Sequence, residues 1–267
     1  MKKNYKARPI VSPSDFSAPV DIIIPFHGQY GKVTSLIESV YRCTRSNYIT
    51  LTVMDDCSPN ESFLNSMHRN AVKTSGSRKI ENNFRAIRGT VQRGFAGAAK
   101  VAFDRTENPY VCFLNSDCSI EDTNWLRKLG ETLLTLKDEG VRMVAPITNE
   151  PVGGHESQKG GRADRSEDCV ILEGEEDYMT MYCFLCHREL FSRCGGFLKE
   201  YPYGYYEDME FAHRMRKNGF KQAVCRSSWV QHEGRATINT LWKRDPKIRT
   251  IMEEENHARC MADVNSL

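Results

Sequence analysis

A chain of 267 residues lies within what one hydrophobic core, or two closely fused halves, can support. Hydrophobic residues make up 40% and charged residues 27%, which excludes wholesale disorder. With 37 Lys and Arg against 35 Asp and Glu, the net charge is +2, without the basic excess expected of a nucleic-acid binder.

No apolar run is long enough to cross a bilayer, and residues 1–19 form a polar, Pro- and Ser-rich lead segment unlike a signal peptide. The ten cysteines are scattered, some within apolar runs, which suits reduced thiols and a cytoplasmic location. Cys183 and Cys186, followed by His187, lack the second ligand pair of a structural zinc site and read as part of a buried strand. Basic clusters at Arg85, Arg88 and Arg93 and at Arg214, Arg216 and Lys217 read as solvated faces.

Along the chain, the short apolar run from Val20 to Pro25 predicts a strand buried on both faces. Val33, Leu36, Ile37 and Val40 recur at helical spacing. A second strand, Ile49 to Met54, stops at Asp55-Asp56-Cys57-Ser58-Pro59, and Asn60 begins a further helical stretch. Phe84 to Thr90 predicts a third strand, Phe95 to Phe103 a small-residue helix, and Tyr110 to Leu114 a fourth strand ending at Asn115-Ser116-Asp117. A helix through Trp125, Leu129 and Leu133 precedes the strand Val141 to Ile147. This alternation predicts an α/β domain with a mainly parallel central sheet and helices on both faces. In such sheets ligands bind at the carboxyl ends of the strands, where both acidic clusters fall.

From Pro151 to Gly174, glycines among charged residues predict a mobile loop, either a lid or a surface excursion. An apolar stretch, Tyr178 to Cys186, and a short helix from Arg188 follow. Gly195-Gly196-Phe197 leads into Tyr201, Tyr203, Tyr205 and Tyr206. A helix starting at Glu207 has acids at its start, bases at its end and Gly219 after it. A strand from Gln222 to Cys225, the segment from Trp229 to Gly234 and a polar helix from Thr240 to Met261 complete the chain.

Each acidic motif has a plain structural use beside its chemical one. Asp55-Asp56 suits a turn or helix cap, or hydrogen bonds to a nucleobase and ribose. Asn115-Ser116-Asp117 is good turn chemistry, yet a strand-end carboxylate can also hold Mg²⁺, which completes its shell with substrate phosphates and water. Glu207-Asp208 complements a helix dipole, or supplies a general base beside sugar-stacking tyrosines. His232 joins the metal chemistry only if the fold returns it to Asp117.

Taken as a set and in order, these motifs resemble the family 2 glycosyltransferases of GT-A fold, over roughly Val20 to Thr237. The resemblance implies a single GT-A domain over 20–267, with a nucleotide-sugar-binding half at 20–118 and an acceptor-binding half with the C-terminal helix at 119–267. It implies an inverting transfer from a nucleotide sugar (UDP-, dTDP- or GDP-linked) to a glycan, lipid-linked glycan or protein-linked acceptor, with Mn²⁺ or Mg²⁺. Pro25, Phe26, Asp55, Asp56, Asn115, Ser116 and Asp117 are then donor-side residues. Asp117 and His232 are the metal ligands, and Asp208, with Glu207 beside it, is the base. Phe26-His27-Gly28 departs from the small polar residue and Asn of many members. Arg93-Gly94 and Lys100 stand where asparagines are common, which offers cations to the donor phosphates. A lipid-linked acceptor implies peripheral membrane contact. The rival is a catalytically silent nucleotide-sugar or glycan-binding domain on the same fold. Dehydrogenase and P-loop readings lack their glycine motifs.

Overall fold

The computed structural model describes residues 8–9, 16–44, 49–60, 62–64, 66–67, 69–70 and 83–267. Most of the lead segment and much of the helical stretch expected after Asn60 lie outside them. The first half runs β1 (Arg8–Pro9), β2 (Val20–Phe26), α1 (Tyr30–Cys43), β3 (Ile49–Asp55), β4 (Phe84–Arg88), α2 (Gly94–Phe103) and β5 (Tyr110–Leu114). Then come β6 (Cys118–Ser119), α3 (Trp125–Thr135), β7 (Val141–Ile147), β8 (Asp168–Leu172), β9 (Cys183–His187) and α4 (Glu189–Arg193). The chain ends in α5 (Glu207–Lys217), β10 (Lys221–Trp229), β11 (Gln231–His232), α6 (Ala236–Arg244), α7 (Lys247–Thr250), a π turn (Ile251–Glu255) and α8 (Asn256–Asn265).

Among the described residues, nine strands form one sheet in the order β1-β8-β10-β7-β9-β5-β2-β3-β4. Every residue of β2 is buried, as its unbroken apolar run requires of a strand covered on both sides. The pairings give seven strands one direction and reverse only β8 and β9. One face packs on α1 and α3 through Val33, Leu36, Trp125 and Leu129. The other packs on α2, α4 and α5 through Ala98, Phe191, Phe211 and Met215. Cys183 and Cys186 fall into these two opposite cores, as strand alternation demands, and both are free thiols. Chain order reverses between β2 and β5, which opens a crevice at their carboxyl ends. None of the described helices is long and apolar enough to cross a membrane.

Three expectations change. The 151–174 loop is not structureless: it contains two 3₁₀ turns, Glu156–Gln158 and Arg162–Asp164, and Cys169-Val170-Ile171-Leu172 joins the sheet as most of β8. That apolar run is short enough to be hidden among charged neighbours. The polar helix expected from Thr240 to Met261 begins at Ala236 and breaks at Asp245-Pro246, because proline disfavours a helical residue before it and lacks an N–H. Arg214 is buried rather than solvated: it pairs with Glu210 and donates to the carbonyls of Cys194, Gly196 and Phe197, pinning the Gly195-Gly196 turn to α5.

Candidate active site

At the crevice lies a cavity of about 520 Å³. Its walls come from the ends of β2, β3 and β5, the start of α2, the 152–153 and 178–182 segments, the tyrosine-rich turn before α5, and the C-terminal helices.

Two turns at the ends of β2 and β3 are laced together. Asp56 N–H donates to Phe26 O at 2.8 Å, His27 Nδ1 meets Asp56 O at 2.8 Å, and Gly28 N–H donates to Ser58 Oγ at 2.7 Å. The Asp56 carboxylate accepts from the backbone N–H groups of Arg93 and Gly94, each at 2.8 Å, which ties the start of α2 to this turn. Burial outweighs those two donors and raises the Asp56 pKa. Gly94 has φ +75°, and a Cβ there would meet the Tyr203 carbonyl carbon at 3.2 Å, so the start of α2 and the tyrosine turn approach through a glycine.

The β6–β11 ribbon pairs Cys118 with His232 and so returns His232 to Asp117 across more than a hundred residues of sequence. His232 Nε2 stands 3.3 Å from Asp117 Oδ1. The other ring nitrogen, Nδ1, donates to Glu150 O at 2.8 Å, Tyr182 stacks on the ring at 4.9 Å, and Asn149 brackets the His232 backbone. With Nδ1 donating to a backbone carbonyl, Nε2 is the ring atom left to share a cation or a proton with the Asp117 carboxylate oxygen. An oxygen–nitrogen pair held this rigidly fits Mn²⁺ or Mg²⁺. Cys118 Sγ lies near both, yet it donates to Tyr182 O and burial holds its pKa well above the ordinary thiol value, so it supports the site rather than offering a hard ligand.

On the opposite wall, Glu207 and Asp208 open α5. Burial raises both carboxyls, and the neighbouring Asp208 charge raises Glu207 further. Glu207 is pushed further toward its neutral form than Asp208, so the pair favours a single negative charge. Asp208 Oδ1 accepts from Met209 N–H at 2.8 Å, and the Thr180 hydroxyl stands 3.4 Å from Oδ2. Tyr203, Tyr205 and Tyr206 line the same wall with left-handed backbone, φ +64°, +77° and +72°. Such angles are uncommon in bulky residues and mark a turn held by its surroundings.

The cavity thus gathers Pro25, Phe26, Asp56, Gly94, Asn115, Ser116, Asp117, Glu207, Asp208 and His232. Asp55 stays outside: its carboxylate accepts from Ser58 N–H and pairs with Arg88, which also donates to Ser58 O, so the first acid of the pair builds the turn and the second faces the cavity. Arg93 contributes its backbone N–H while its side chain is exposed. Lys100 points along α2 to Asp104 rather than toward the cavity. Sequence reasoning missed Gln92, Thr180, Tyr182 and Arg235, and also Ile238, Leu241 and Glu253 from the C-terminal helices. Arg235 lay within the segment singled out for His232; the others carry no motif.

The sequence model described as Glycosyl transferase family 2 matches residues 21–195. A search of curated proteins finds no match. Among solved structures, the chain is similar to GalNAc-T7 with UDP, GalNAc and Mn²⁺, at 16% identity and a TM-score of 0.63, covering 82% of this chain and 44% of that one. It is also similar to the mannosyltransferase PcManGT from Pyrobaculum calidifontis in complex with GDP-Man and Mn²⁺, at 17% identity and TM-score 0.62, covering 91% and 64%. S. aureus TarS 1-349 in complex with UDP-GlcNAc matches at 13% identity and TM-score 0.58, covering 80% and 58%. The chain therefore spans less than two thirds of each of these proteins, and the likeness shows a shared GT-A fold.

Proposed function

We propose that this chain, which belongs to glycosyl transferase family 2, moves a sugar from a nucleotide-diphosphate sugar to a hydroxyl of a glycan or related acceptor, inverting the anomeric carbon. The observation that carries the reading is one cavity shared by Asp56, the Asp117–His232 pair and Asp208. Its parts come from the ends of β3 and β5, from β11 and from α5.

Asp56, held by two backbone donors, presents its remaining lone pairs to nucleobase or ribose hydrogens. Phe26, Pro25 and Gly94 shape the adjoining wall, and Asn115 and Ser116 carry the turn that aims Asp117. Asp117 and His232 would hold Mn²⁺ or Mg²⁺. A cation bound there supplies Lewis-acid stabilisation of charge on the leaving diphosphate. Asp208 accepts the proton of the incoming hydroxyl, and its raised pKa makes it a stronger base than an ordinary carboxylate. Glu207, kept neutral beside it, preserves a single negative charge on that wall. Attack from the Asp208 side, opposite the diphosphate, inverts the configuration in one displacement. In this reading 20–118 holds the donor and 119–267 the acceptor. UDP is the leading donor nucleotide, with GDP and dTDP as alternatives, an order supported by the UDP and GDP-Man ligands of the similar structures. A cytoplasmic setting and a part in polysaccharide biosynthesis belong to the same reading.

The test is thermal denaturation with UDP, GDP, dTDP or CDP, each with and without Mn²⁺ or Mg²⁺. One nucleotide should stabilise the protein only with metal, by about 2.7 kcal/mol at a hundredfold excess over Kd. Asp117→Ala and His232→Ala should each abolish that metal-dependent part. Absence of any shift would overturn the donor assignment. A shift without transfer or donor hydrolysis across many acceptors would favour the silent binding domain.

A further inference from the structure

The tyrosine turn before α5 sets a physical problem that the donor site does not. Four consecutive residues, Tyr203, Gly204, Tyr205 and Tyr206, have positive φ (+64°, +107°, +77° and +72°), and three of them carry bulky side chains. A run of this kind relaxes unless outside contacts fix it. Those contacts come from the C-terminal helical segment, beyond the residues that match the family.

Asn256 is fully buried at the start of α8. Its Nδ2 donates to Pro202 O at 2.9 Å and to Gly204 O at 2.8 Å, so both amide hydrogens go to carbonyls flanking Tyr203. Two acceptors at that range allow only the NH₂ end of the amide to face them, which determines the side chain's orientation. Its Oδ1 is buried with no hydrogen-bond partner among the described residues. A buried amide that leaves its own oxygen unpaired is costly, which singles out its two donor contacts as the reason for its placement. The same helix face makes further ties. The Tyr206 hydroxyl donates to Glu253 O at 3.2 Å, Cys260 Sγ donates to Tyr206 O at 3.7 Å, and the Tyr201 hydroxyl donates to Asp263 Oδ2 at 2.8 Å. Positions 253, 256, 260 and 263 follow helical spacing. They form one seam along the whole 201–206 segment. Asp208 follows that segment by two residues, and Glu253 of the seam lines the same cavity wall together with Ile238 and Leu241.

We infer that Asn256 is a positioning residue for the acceptor side of the site. By bridging the carbonyls of Pro202 and Gly204, it holds the left-handed tyrosine turn and thereby sets where the acceptor wall and Asp208 stand. The inference rests on the transferase reading for its catalytic consequence, but not for the structural role of Asn256.

The test compares Asn256→Ala and Asn256→Gln with Arg259→Ala, a control on the exposed face of the same helix. Amide hydrogen exchange is followed over 201–209, nucleotide binding is measured with UDP and Mn²⁺, and transfer is measured to simple pyranosides at saturating donor. In Asn256→Ala, exchange over 203–208 should accelerate about tenfold or more. Nucleotide affinity should stay within about twofold of wild type, whereas transfer falls by up to about 10²-fold, as expected for a reacting group misplaced by about 1 Å. Asn256→Gln should regain part of the transfer, and Arg259→Ala should match wild type. Unchanged exchange over 203–208 in a folded variant, or transfer lost only in proportion to nucleotide binding, would overturn the inference. Should Asn256→Ala not fold, Asn256→Ser, a smaller side chain that can donate to one carbonyl at most, carries the same comparison. A wild-type protein that transfers nothing would sink the transferase reading instead, while the exchange data would still decide whether Asn256 holds the turn.

Discussion

The base assignment makes a quantitative demand on the pH profile of transfer. Burial raises the Asp208 pKa from 3.8 to about 6, against the lowering effect of the Met209 N–H and the Thr180 hydroxyl. Glu207, Tyr178 and Tyr206 also face this carboxylate, and the first two of these are themselves held in their neutral forms by burial. A pKa near 6 leaves about ten in eleven molecules ionised at pH 7 and about one in eleven at pH 5. Transfer under saturating donor and metal should therefore fall roughly tenfold between those values, whereas an ordinary carboxylate of pKa about 3.9 would lose less than about a tenth of its base form. The assay is initial-rate transfer from pH 5 to 8, with nucleotide binding measured at each pH to remove any contribution from His232. Asp208→Asn should lower the plateau by about 10² to 10⁴-fold and leave nucleotide affinity intact. A rate that stays level from pH 7 to 5 would refute the burial argument. An Asp208→Asn variant that keeps more than about a tenth of wild-type transfer would refute the base itself.

Three further outcomes follow from the geometry. Glu207→Gln should flatten the pH dependence of stability: the folded-state pKa is raised from 4.5 to about 8, so the proton's contribution is complete below about pH 4.5 and is lost as pH rises toward 8. Denaturant melts between pH 5 and 8 should show wild type losing up to about 1.4 kcal/mol per pH unit more than the variant, and parallel curves would contradict it. Gly94→Ala, at φ +75° with its Cβ 3.2 Å from the Tyr203 carbonyl carbon, should cost about 1–2 kcal/mol of stability from the left-handed backbone alone and weaken nucleotide binding through Asp56. Unchanged melting and binding would show that the turn yields freely. Lys100→Ala should leave nucleotide-sugar affinity as it was, since its ammonium is held by Asp104 on the exposed side of α2; a titration showing a clear loss would return it to the phosphates.

Much of the fold was legible because its signals are local. Val20 to Pro25, Ile49 to Met54, Tyr110 to Leu114 and Val141 to Ile147 are continuous apolar runs, and each became a strand of the sheet within a residue or so of its expected limits. Strand direction was not local: nothing within Cys183–His187 tells that it runs against β5 and β7, because reversal is set by the path of the connecting segments. The C-terminal helix was drawn through Asp245-Pro246, although proline was there to be read as a stop.

The acidic pair at the end of β3 shows where reading residues reaches its limit. Asp55 and Asp56 are adjacent, of one chemistry and equally suited to a turn or to a ligand. Strand alternation sends their side chains to opposite sides, so one must meet the interior of the turn and the other the cavity. Which does which depends on Arg88, a residue 33 positions away that reaches Asp55 from the neighbouring strand. Lys100 follows the same logic in reverse: its place in the family's pattern suggested the phosphates, but one helical turn brings it to Asp104. The acceptor wall lay further still from sequence reasoning. Its tyrosines are visible as a cluster, but their placement depends on backbone angles unfavourable to them and on a helix fifty residues later. A motif records which side chains touch the ligand; it does not record the contacts that hold a strained segment in place.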